Sequence, residues 1–223
     1  MENNIRLDFI RFATEAGVLK FGSFVTKAGR TSPYFFNAGG FSQGANLGKL
    51  AAYYAQTLLA SGVQFDMLFG PAYKGITLAA TTAVALAQSG RDVSFAYNRK
   101  EAKDHGEGGV IVGAPLQGKV VIIDDVISAG TSIKESVAMI KAAGAEPCAA
   151  LIALDRMERA GDAVNLSARS AVQEVEQNFG FPVISIANLN DLFTYLSGQQ
   201  SNAELAGYQQ AVADYRTKYG ITA

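Results

Sequence analysis

The sequence predicts an α/β protein with a central, mostly parallel sheet that is flanked by helices. Short aliphatic segments alternate with segments that carry apolar residues at helical spacing, and strands that are separated by helices pair in parallel. Residues 18–41 depart from this alternation, because aromatic residues, Gly, Ser and Thr dominate them. This segment predicts a small N-terminal antiparallel hood. A length of 223 residues suits a single domain over residues 1–223.

Each element has its own local signal. The first helix, at residues 5–16, has apolar residues at near-helical spacing and is followed by Gly17. Helices elsewhere are expected in Ala-rich or amphipathic segments, and strands in short aliphatic or aromatic runs between turn residues. After the hood the expected order is helix 46–60, strand 65–71, helix 75–88, strand 93–98, strand 119–126, helix 131–143, strand 148–154, helix 168–177, strand 181–186 and helices 190–196 and 204–219.

The composition excludes several classes of protein. Hydrophobic residues make up 49% and charged residues 17% of the chain, which is typical of a globular protein. A net charge of −1 offers no general attraction for nucleic acid or for an anionic membrane, and no apolar run approaches the length of a membrane span. The single cysteine and the absence of a signal-peptide pattern lead us to expect a cytoplasmic protein with neither nucleic acid nor membrane as partner.

The segment "VVIIDDVISAGTS", residues 120–132, predicts a binding site for a phosphorylated ribose. Ligands of parallel sheets bind beyond the carboxyl ends of the strands, and here the strand ends on two carboxylates, Asp124 and Asp125. The small and hydroxylated residues that follow let backbone N–H groups at a helix start reach a phosphate. Carboxylates accept hydrogen bonds from sugar hydroxyls or hold the waters of Mg²⁺. The alternative, a plain helix cap, leaves the second carboxylate unexplained.

Two further strand ends carry positive side chains. "FGPAYKGI", residues 69–76, places Tyr73 and Lys74 at the start of a helix, where a cation suits a second anionic group. Taken alone, Lys74 is also compatible with a snorkelling surface lysine. "NRKEAKDHGEGG", residues 98–109, has the composition of a mobile lid or of a solvated loop. Its glycines permit movement, and four of its side chains can carry positive charge: Arg99, Lys100, Lys103 and His105.

These three segments, in this order, resemble the phosphoribosyltransferases that use phosphoribosyl pyrophosphate (PRPP). With "TKAGRTSPYFFNAGGF" and "LDRMER", the chain is similar to the orotate phosphoribosyltransferase family as far as Arg159, and less so after Gly161. The resemblance implies the type I phosphoribosyltransferase fold. It also implies transfer of the 5-phosphoribosyl group from PRPP to orotate, which gives orotidine 5′-monophosphate and pyrophosphate in pyrimidine (UMP) biosynthesis.

The resemblance also implies roles for individual residues. PRPP contacts are expected from Lys27, Tyr73, Lys74, Arg99, Lys100, Lys103, His105, Asp124, Asp125, Val126, Ile127, Ser128, Ala129, Gly130, Thr131 and Ser132. Orotate contacts are expected from Lys27, Phe35, Phe36, Ser128 and Arg156. The residues implied for catalysis are Arg99, Lys100, Lys103, His105 and Asp125. Many members of the family have Thr at the position of Ser128, and the hydroxyl is retained here.

A cofactor and a partner follow from the same resemblance. Mg²⁺ is expected near Asp124 and Asp125, held by PRPP, pyrophosphate and water rather than by direct protein ligands. The lid, residues 99–109, is expected to reach the neighbouring subunit's site in a homodimer.

The chemistry of orotate, a flat ring with a carboxylate, agrees with these roles. Phe35 and Phe36 can form an apolar wall against the ring, and the planar fork of Arg156 suits a bidentate contact with the carboxylate. Two alternatives stay open at this point. One is a phosphoribosyltransferase for a purine or for uracil, and the other is a non-catalytic regulator of the same fold that senses PRPP.

Overall fold

The computed structural model of the protein describes residues 2–103, 109–199 and 202–221. The helices within these residues are α1 (Glu2–Glu15), α2 (Gly44–Ala60), α3 (Lys74–Gln88), α4 (Thr131–Ala142), α5 (Ala171–Phe179), α6 (Leu189–Ser197) and α7 (Ala203–Tyr219). The strands are β1 (Leu19–Val25), β2 (Thr31–Phe36), β3 (Met67–Gly70), β4 (Ser94–Lys103), β5 (Gly109–Gly113), β6 (Lys119–Asp124), β7 (Glu146–Asp155), β8 (Arg159–Gly161), β9 (Leu166–Ser170) and β10 (Val183–Asn188).

Six of the described strands form one sheet in the order β10-β7-β6-β3-β4-β5. Neighbours from β10 to β4 are parallel, and β5 joins the edge antiparallel to β4. The four residues of β3 are all buried; all of them pair with β4 on one side, and the first three pair with β6 on the other. The predicted α/β fold is therefore confirmed. The carboxyl ends of β3, β6 and β7 meet at one edge of the sheet, where ligands of such sheets bind.

The sheet is buried on both faces. Successive residues of a strand point to opposite sides, so each strand contributes side chains to the core on both faces. Leu68, Val121 and Ile123 belong to a core cluster that includes residues of α1, α2 and α3. Phe69 and Ile122 belong to the cluster on the other face, with residues of α4 and α5. No helix within the described residues is long and apolar enough to cross a lipid bilayer.

The predicted hood is also confirmed, as the two-stranded antiparallel sheet β1-β2. The C-terminal helix α7 packs against it. Phe21 of β1 stacks on Tyr208 with ring centroids 5.6 Å apart, and Tyr34 of β2 meets Tyr215 edge-on at 6.2 Å. The C-terminal segment therefore supports the hood.

The helix expected at residues 168–177 starts later than predicted. Residues 166–170 form β9, which pairs with β8, and α5 begins at Ala171. The reason is local: the Ser170 hydroxyl accepts a hydrogen bond from the Gln173 amide, and the Gln173 side chain accepts one from the Ser170 amide. This reciprocal cap fixes the helix start at the end of the strand.

The segment expected to be a lid loop is partly strand. β4 continues through Arg99 and Lys100 to Lys103, and Gly109 begins β5, which pairs with β4. The expectation of a strand ending at residue 98 was wrong, and β5 was not predicted. Residues 104–108, which include His105, lie outside the described residues, as does the side chain of Lys103.

Candidate active site

Lys74 and Asp125 connect two neighbouring strand ends. Lys74 opens α3 after β3, Asp125 follows β6, and Lys74 Nζ lies 2.6 Å from Asp125 Oδ2. The Asp125 side chain is 7% exposed and that of Lys74 is 45% exposed. Because a buried carboxylate requires a partner, Lys74 is more than a snorkelling surface lysine.

Asp124 lies next to this ion pair, and its surroundings disfavour the charged form of its carboxyl group. Burial, and then the neighbouring Asp125 carboxylate, raise the pKa of Asp124 to about 6, although hydrogen bonds from the Asp125 amide and Ser132 and the charge of Lys74 act in the opposite direction. Its Oδ1 accepts a hydrogen bond from the Asp125 amide at 2.9 Å. The Tyr54 hydroxyl anchors this end of β6 by donating to the Asp124 carbonyl at 2.7 Å. Two carboxylates therefore lie side by side with few partners, where they can accept hydrogen bonds from a ligand.

The loop after the carboxylates forms an open cradle at a helix start. Gly130 caps α4 with a φ of 69° and has no side chain that could cap the first N–H groups of the helix. Ile127 is buried and fixes the loop, whereas Ser128, Ala129 and Thr131 are exposed. Free N–H groups and hydroxyls at a helix N-terminus suit a phosphate.

Asn98, in the middle of β4, holds the loop between β3 and α3. Its Oδ1 accepts a hydrogen bond from the Ala72 amide at 2.9 Å, next to a cis peptide bond between Ala72 and Tyr73. A side chain at Gly75 would lie 2.6 Å from Pro71 and 2.9 Å from the Ile123 carbonyl, so this close crossing requires glycine. Asn98 is the first residue of the segment 98–109, but its contact with Ala72 was not predicted, because no sequence pattern links two residues that are 26 positions apart.

Two basic residues of β4, Arg99 and Lys100, follow Asn98. Lys100 Nζ stands 5.2 Å from the centroid of the Tyr73 ring, which is 70% exposed. Arg99 Nη1 is buried and has no hydrogen-bond partner among the described residues. An unpaired guanidinium nitrogen is available for an anion.

Of the two phenylalanines expected at the orotate ring, one is exposed and the other is buried. Phe35 is 44% exposed and stacks on Phe24 at 5.5 Å, whereas Phe36 is buried against Phe9. Alternation along β2 sends the two rings to opposite faces, so an apolar wall made of both rings does not form. Lys27 lies exposed on the turn between β1 and β2 and forms no ion pair with a described residue.

Arg156 follows β7 and belongs to a network that was not predicted. Its Nε donates to Glu158 Oε1 at 2.8 Å, and its Nη2 donates to Ser32 Oγ at 3.1 Å. Its guanidinium carbon lies 4.4 Å from the Tyr34 ring centroid. Nη2 also lies 2.6 Å from Glu158 Oε1, so protein partners already share the Nε and Nη2 side of the fork, and Nη1 is the nitrogen that these contacts leave unused.

The cavities among the described residues include two of different size and position. One of about 260 Å³ lies between the residues that follow the hood and the start of α3, and it is lined in part by Gly39, Tyr73 and Lys74. The larger one, about 630 Å³, is bounded by α7, α6 and the β8-β9 pair, and none of the predicted site residues lines it. The smaller cavity therefore adjoins the candidate site.

Comparisons with known proteins agree with this geometry. Residues 41–183 match the phosphoribosyl transferase domain model. The orotate phosphoribosyltransferase of Janthinobacterium sp. (strain Marseille) is 70% identical over 98% of this chain and 99% of its own length. That of Herminiimonas arsenicoxydans is 70% identical over 99% of this chain and 100% of its own length.

Two solved structures are similar to this chain, one in sequence and fold and one in fold alone. The crystal structure of orotate phosphoribosyltransferase from Francisella tularensis has a TM-score of 0.83 and 42% identity, and the match covers 96% of this chain and 99% of that chain. The enzyme from Mycobacterium tuberculosis in complex with PRPP has a TM-score of 0.61 at 17% identity, covers 84% of this chain and 98% of that chain, and shares the fold. On the domain match and the full-length identities together, the chain belongs to the orotate phosphoribosyltransferase family.

Proposed function

We propose that this chain transfers the 5-phosphoribosyl group from PRPP to orotate, a step of pyrimidine biosynthesis that yields orotidine 5′-monophosphate and pyrophosphate. The observation that carries the proposal is the convergence of the Lys74–Asp125 pair, Asp124 and the open cradle at the start of α4 on one edge of the sheet. Relatives about 70% identical over nearly their whole length bear the name of this activity.

PRPP is the ligand that this edge suits best. The backbone N–H groups and hydroxyls of residues 126–132 bind its 5′-phosphate, and Asp124 and Asp125 accept hydrogen bonds from its ribose hydroxyls. Tyr73 and Lys74 line the position of the pyrophosphate. Support comes from the exposure of the cradle and from the ion pair that already places Lys74 beside Asp125.

The reaction forms a bond between a ring nitrogen of orotate and the anomeric carbon of PRPP and breaks the bond from that carbon to pyrophosphate. The electron pair leaves on pyrophosphate, and positive charge grows on the ribose ring. Lys74, Arg99, Lys100 and Lys103 stabilise the leaving group by electrostatic attraction, and the lid keeps water away. His105 donates a hydrogen bond or a proton to the same group. For Arg99, the support is its buried, unpaired Nη1.

Mg²⁺ fits this site by its donor chemistry. Asp124 and Asp125 offer hard carboxylate oxygens, and the described residues contain no group of three or more His, Cys, Asp or Glu side chains that could hold the ion alone. We therefore propose that the two carboxylates contact its water shell and that PRPP provides the remaining oxygens. When bound with PRPP, Mg²⁺ adds positive charge beside the pyrophosphate.

A homodimer and a cytoplasmic location complete the proposal. Arg99 and Lys100 lie on the edge hairpin β4-β5, which a neighbouring chain can approach, and this position supports a lid shared between subunits. The single cysteine, Cys148, is consistent with a reducing compartment.

A panel of bases tests the substrate. Purified protein with PRPP and Mg²⁺ is given orotate, uracil, adenine or hypoxanthine, and the nucleotide formed is measured by chromatography. We expect turnover with orotate to exceed that with each other base by at least about 10²-fold in kcat/KM, since a site built for a carboxylate loses its partner with the others. Preference for another base would refute the assignment of orotate, and no nucleotide with any base would favour the regulator.

A further inference from the structure

The surroundings of Arg156 point to a residue that controls how orotate is recognised. Glu158 lies at the centre of a buried cluster and is 14% exposed. Its Oε1 accepts hydrogen bonds from Arg156 Nε at 2.8 Å and from the Tyr34 hydroxyl at 3.4 Å. Its Oε2 accepts one from Arg30 Nη1 at 3.4 Å. One carboxylate therefore contacts two guanidinium groups from different parts of the fold.

The second arginine of the cluster has a structural role. Arg30 is 2% exposed, and its Nη2 donates to the carbonyls of Arg159, Gly161 and Asp162 at 2.8, 2.9 and 3.0 Å. The backbone of Arg30 also closes the hood turn, since its carbonyl accepts from the Thr26 amide. Arg30 is thus fully used by the protein, whereas the contacts of Arg156 leave its Nη1 unused.

The charges of the cluster favour one more anion. Arg30 and Arg156 contribute two positive charges, and Glu158 contributes one negative charge, which leaves a net charge of +1 in a mostly buried place. A ligand carboxylate at Arg156 neutralises this charge without competing for Arg30. Glu158 contacts both Nε and Nη2 of the planar guanidinium, and Ser32 accepts a second bond from Nη2, so the plane of the group is fixed before the ligand arrives.

The C-terminal helix closes the cluster from the other side. Tyr215 of α7 is 5% exposed and packs edge-on against Tyr34. The Arg156 guanidinium lies over the Tyr34 ring. Burial, followed by the charge of Glu158, raises the pKa of the Tyr215 hydroxyl to about 12, although the charge of Arg156 acts in the opposite direction. The helix therefore supports the surface on which Arg156 rests.

We propose that Glu158, with Ser32, is a positioning residue that holds Arg156 in the orientation required to bind the carboxylate of orotate. The inference rests on the proposed function. It assigns to the hood and to α7 a part in base recognition, because Ser32 and Tyr34 come from β2, Tyr215 comes from α7, and all of them meet at one arginine.

Steady-state kinetics of two variants test the proposal. Glu158→Gln keeps the shape of the side chain and removes its charge. Ser32→Ala removes the hydrogen bond that Ser32 Oγ accepts from Arg156 Nη2, with little change in volume. We expect the KM for orotate to rise about tenfold in Glu158→Gln and about threefold in Ser32→Ala, as for lost hydrogen bonds to a charged group. The KM for PRPP should stay within about twofold, because the hydrogen bonds given above for Glu158 and Arg156 involve none of residues 126–132.

A matched control separates positioning from stability. Glu176→Gln makes the same change on α5, where Glu176 accepts a hydrogen bond from the Val183 amide at 3.0 Å, and we expect both KM values to stay unchanged. An unchanged KM for orotate in folded Glu158→Gln, or equal rises in both KM values, overturns the proposal. If Glu158→Gln does not fold, Ser32→Ala decides by the same criteria. Failure of the unaltered protein to use orotate would instead refute the proposed function.

Discussion

Lys74 Nζ lies 2.6 Å from Asp125 Oδ2 and joins the ends of two neighbouring strands at the candidate site. We expect Lys74→Met to lower kcat by on the order of 10²-fold, because it removes a charge that stabilises the leaving pyrophosphate. Initial rates of orotate consumption at saturating PRPP measure this effect. Lys141→Met, an exposed lysine in the last turn of α4, is the control and should keep normal activity. A kcat within about threefold of normal would remove Lys74 from the reaction.

We expect the ionised carboxylate of Asp124 to lower the stability of the fold. Its pKa is raised to about 6 in the folded protein, above the ordinary value of 3.8, by burial and by Asp125. The folded state therefore binds the proton more tightly than the unfolded state, and the stability that protonation provides is lost as the pH rises through about 4 to 6.

Asp124→Asn removes this penalty. We expect the variant to be more stable than the unaltered protein at pH 8, by on the order of 2 kcal/mol, and equally stable below about pH 4, where Asp124 is protonated in both states. Urea unfolding at several pH values measures the difference, and activity should fall because the charge and one of the two oxygens that accept hydrogen bonds from the sugar are lost. A variant that is less stable at pH 8 would contradict the electrostatic account of Asp124.

Phe35 and Phe36 should separate into a functional and a structural residue. Phe36→Ala removes a buried ring that packs on Phe9, and we expect it to cost about 3–4 kcal/mol of unfolding free energy. Phe35→Ala removes an exposed ring and should cost less than about 1 kcal/mol, and we expect it to raise the KM for orotate because the ring is available to pack against the base. Chemical denaturation and kinetics are measured on both variants. An unchanged KM for orotate in Phe35→Ala would exclude the Phe35 ring from the site.

A lid that is donated by the neighbouring subunit makes a prediction about mixed dimers. Lys103→Ala and Asp125→Asn chains are each expected to be nearly inactive alone. After subunit exchange at equal amounts, activity should recover to about a quarter of normal, because half of randomly formed dimers are hybrids and each hybrid has one intact site. Native mass spectrometry confirms that exchange has occurred. Proven hybrids without recovered activity would show that the lid serves its own subunit.

The parts of the site that follow strand ends could be predicted from the sequence. Asp124, Asp125 and the cradle lie in one continuous segment, and the parallel sheet brings Lys74 to them because β3 and β6 are neighbours. The type of side chain and its position after a strand were sufficient there.

The surroundings of Arg156 could not be predicted in this way. Ser32 and Arg156 are 124 residues apart, and Glu158 stands two residues from Arg156 without any periodic signal that it would turn back to it. The strand β5 was missed because a five-residue segment with glycine at both ends resembles a loop. These features depend on contacts between distant residues and on strand pairing, neither of which can be read from a single sequence.

The most direct test of the whole account is the reaction of the unaltered protein with orotate and PRPP. The fall in orotate absorbance is followed with and without Mg²⁺, and the products are identified by chromatography and mass spectrometry. We predict loss of orotate that requires both PRPP and Mg²⁺ and yields orotidine 5′-monophosphate and pyrophosphate in equal amounts. No PRPP-dependent loss of orotate by folded protein, in the presence of Mg²⁺, would contradict the account.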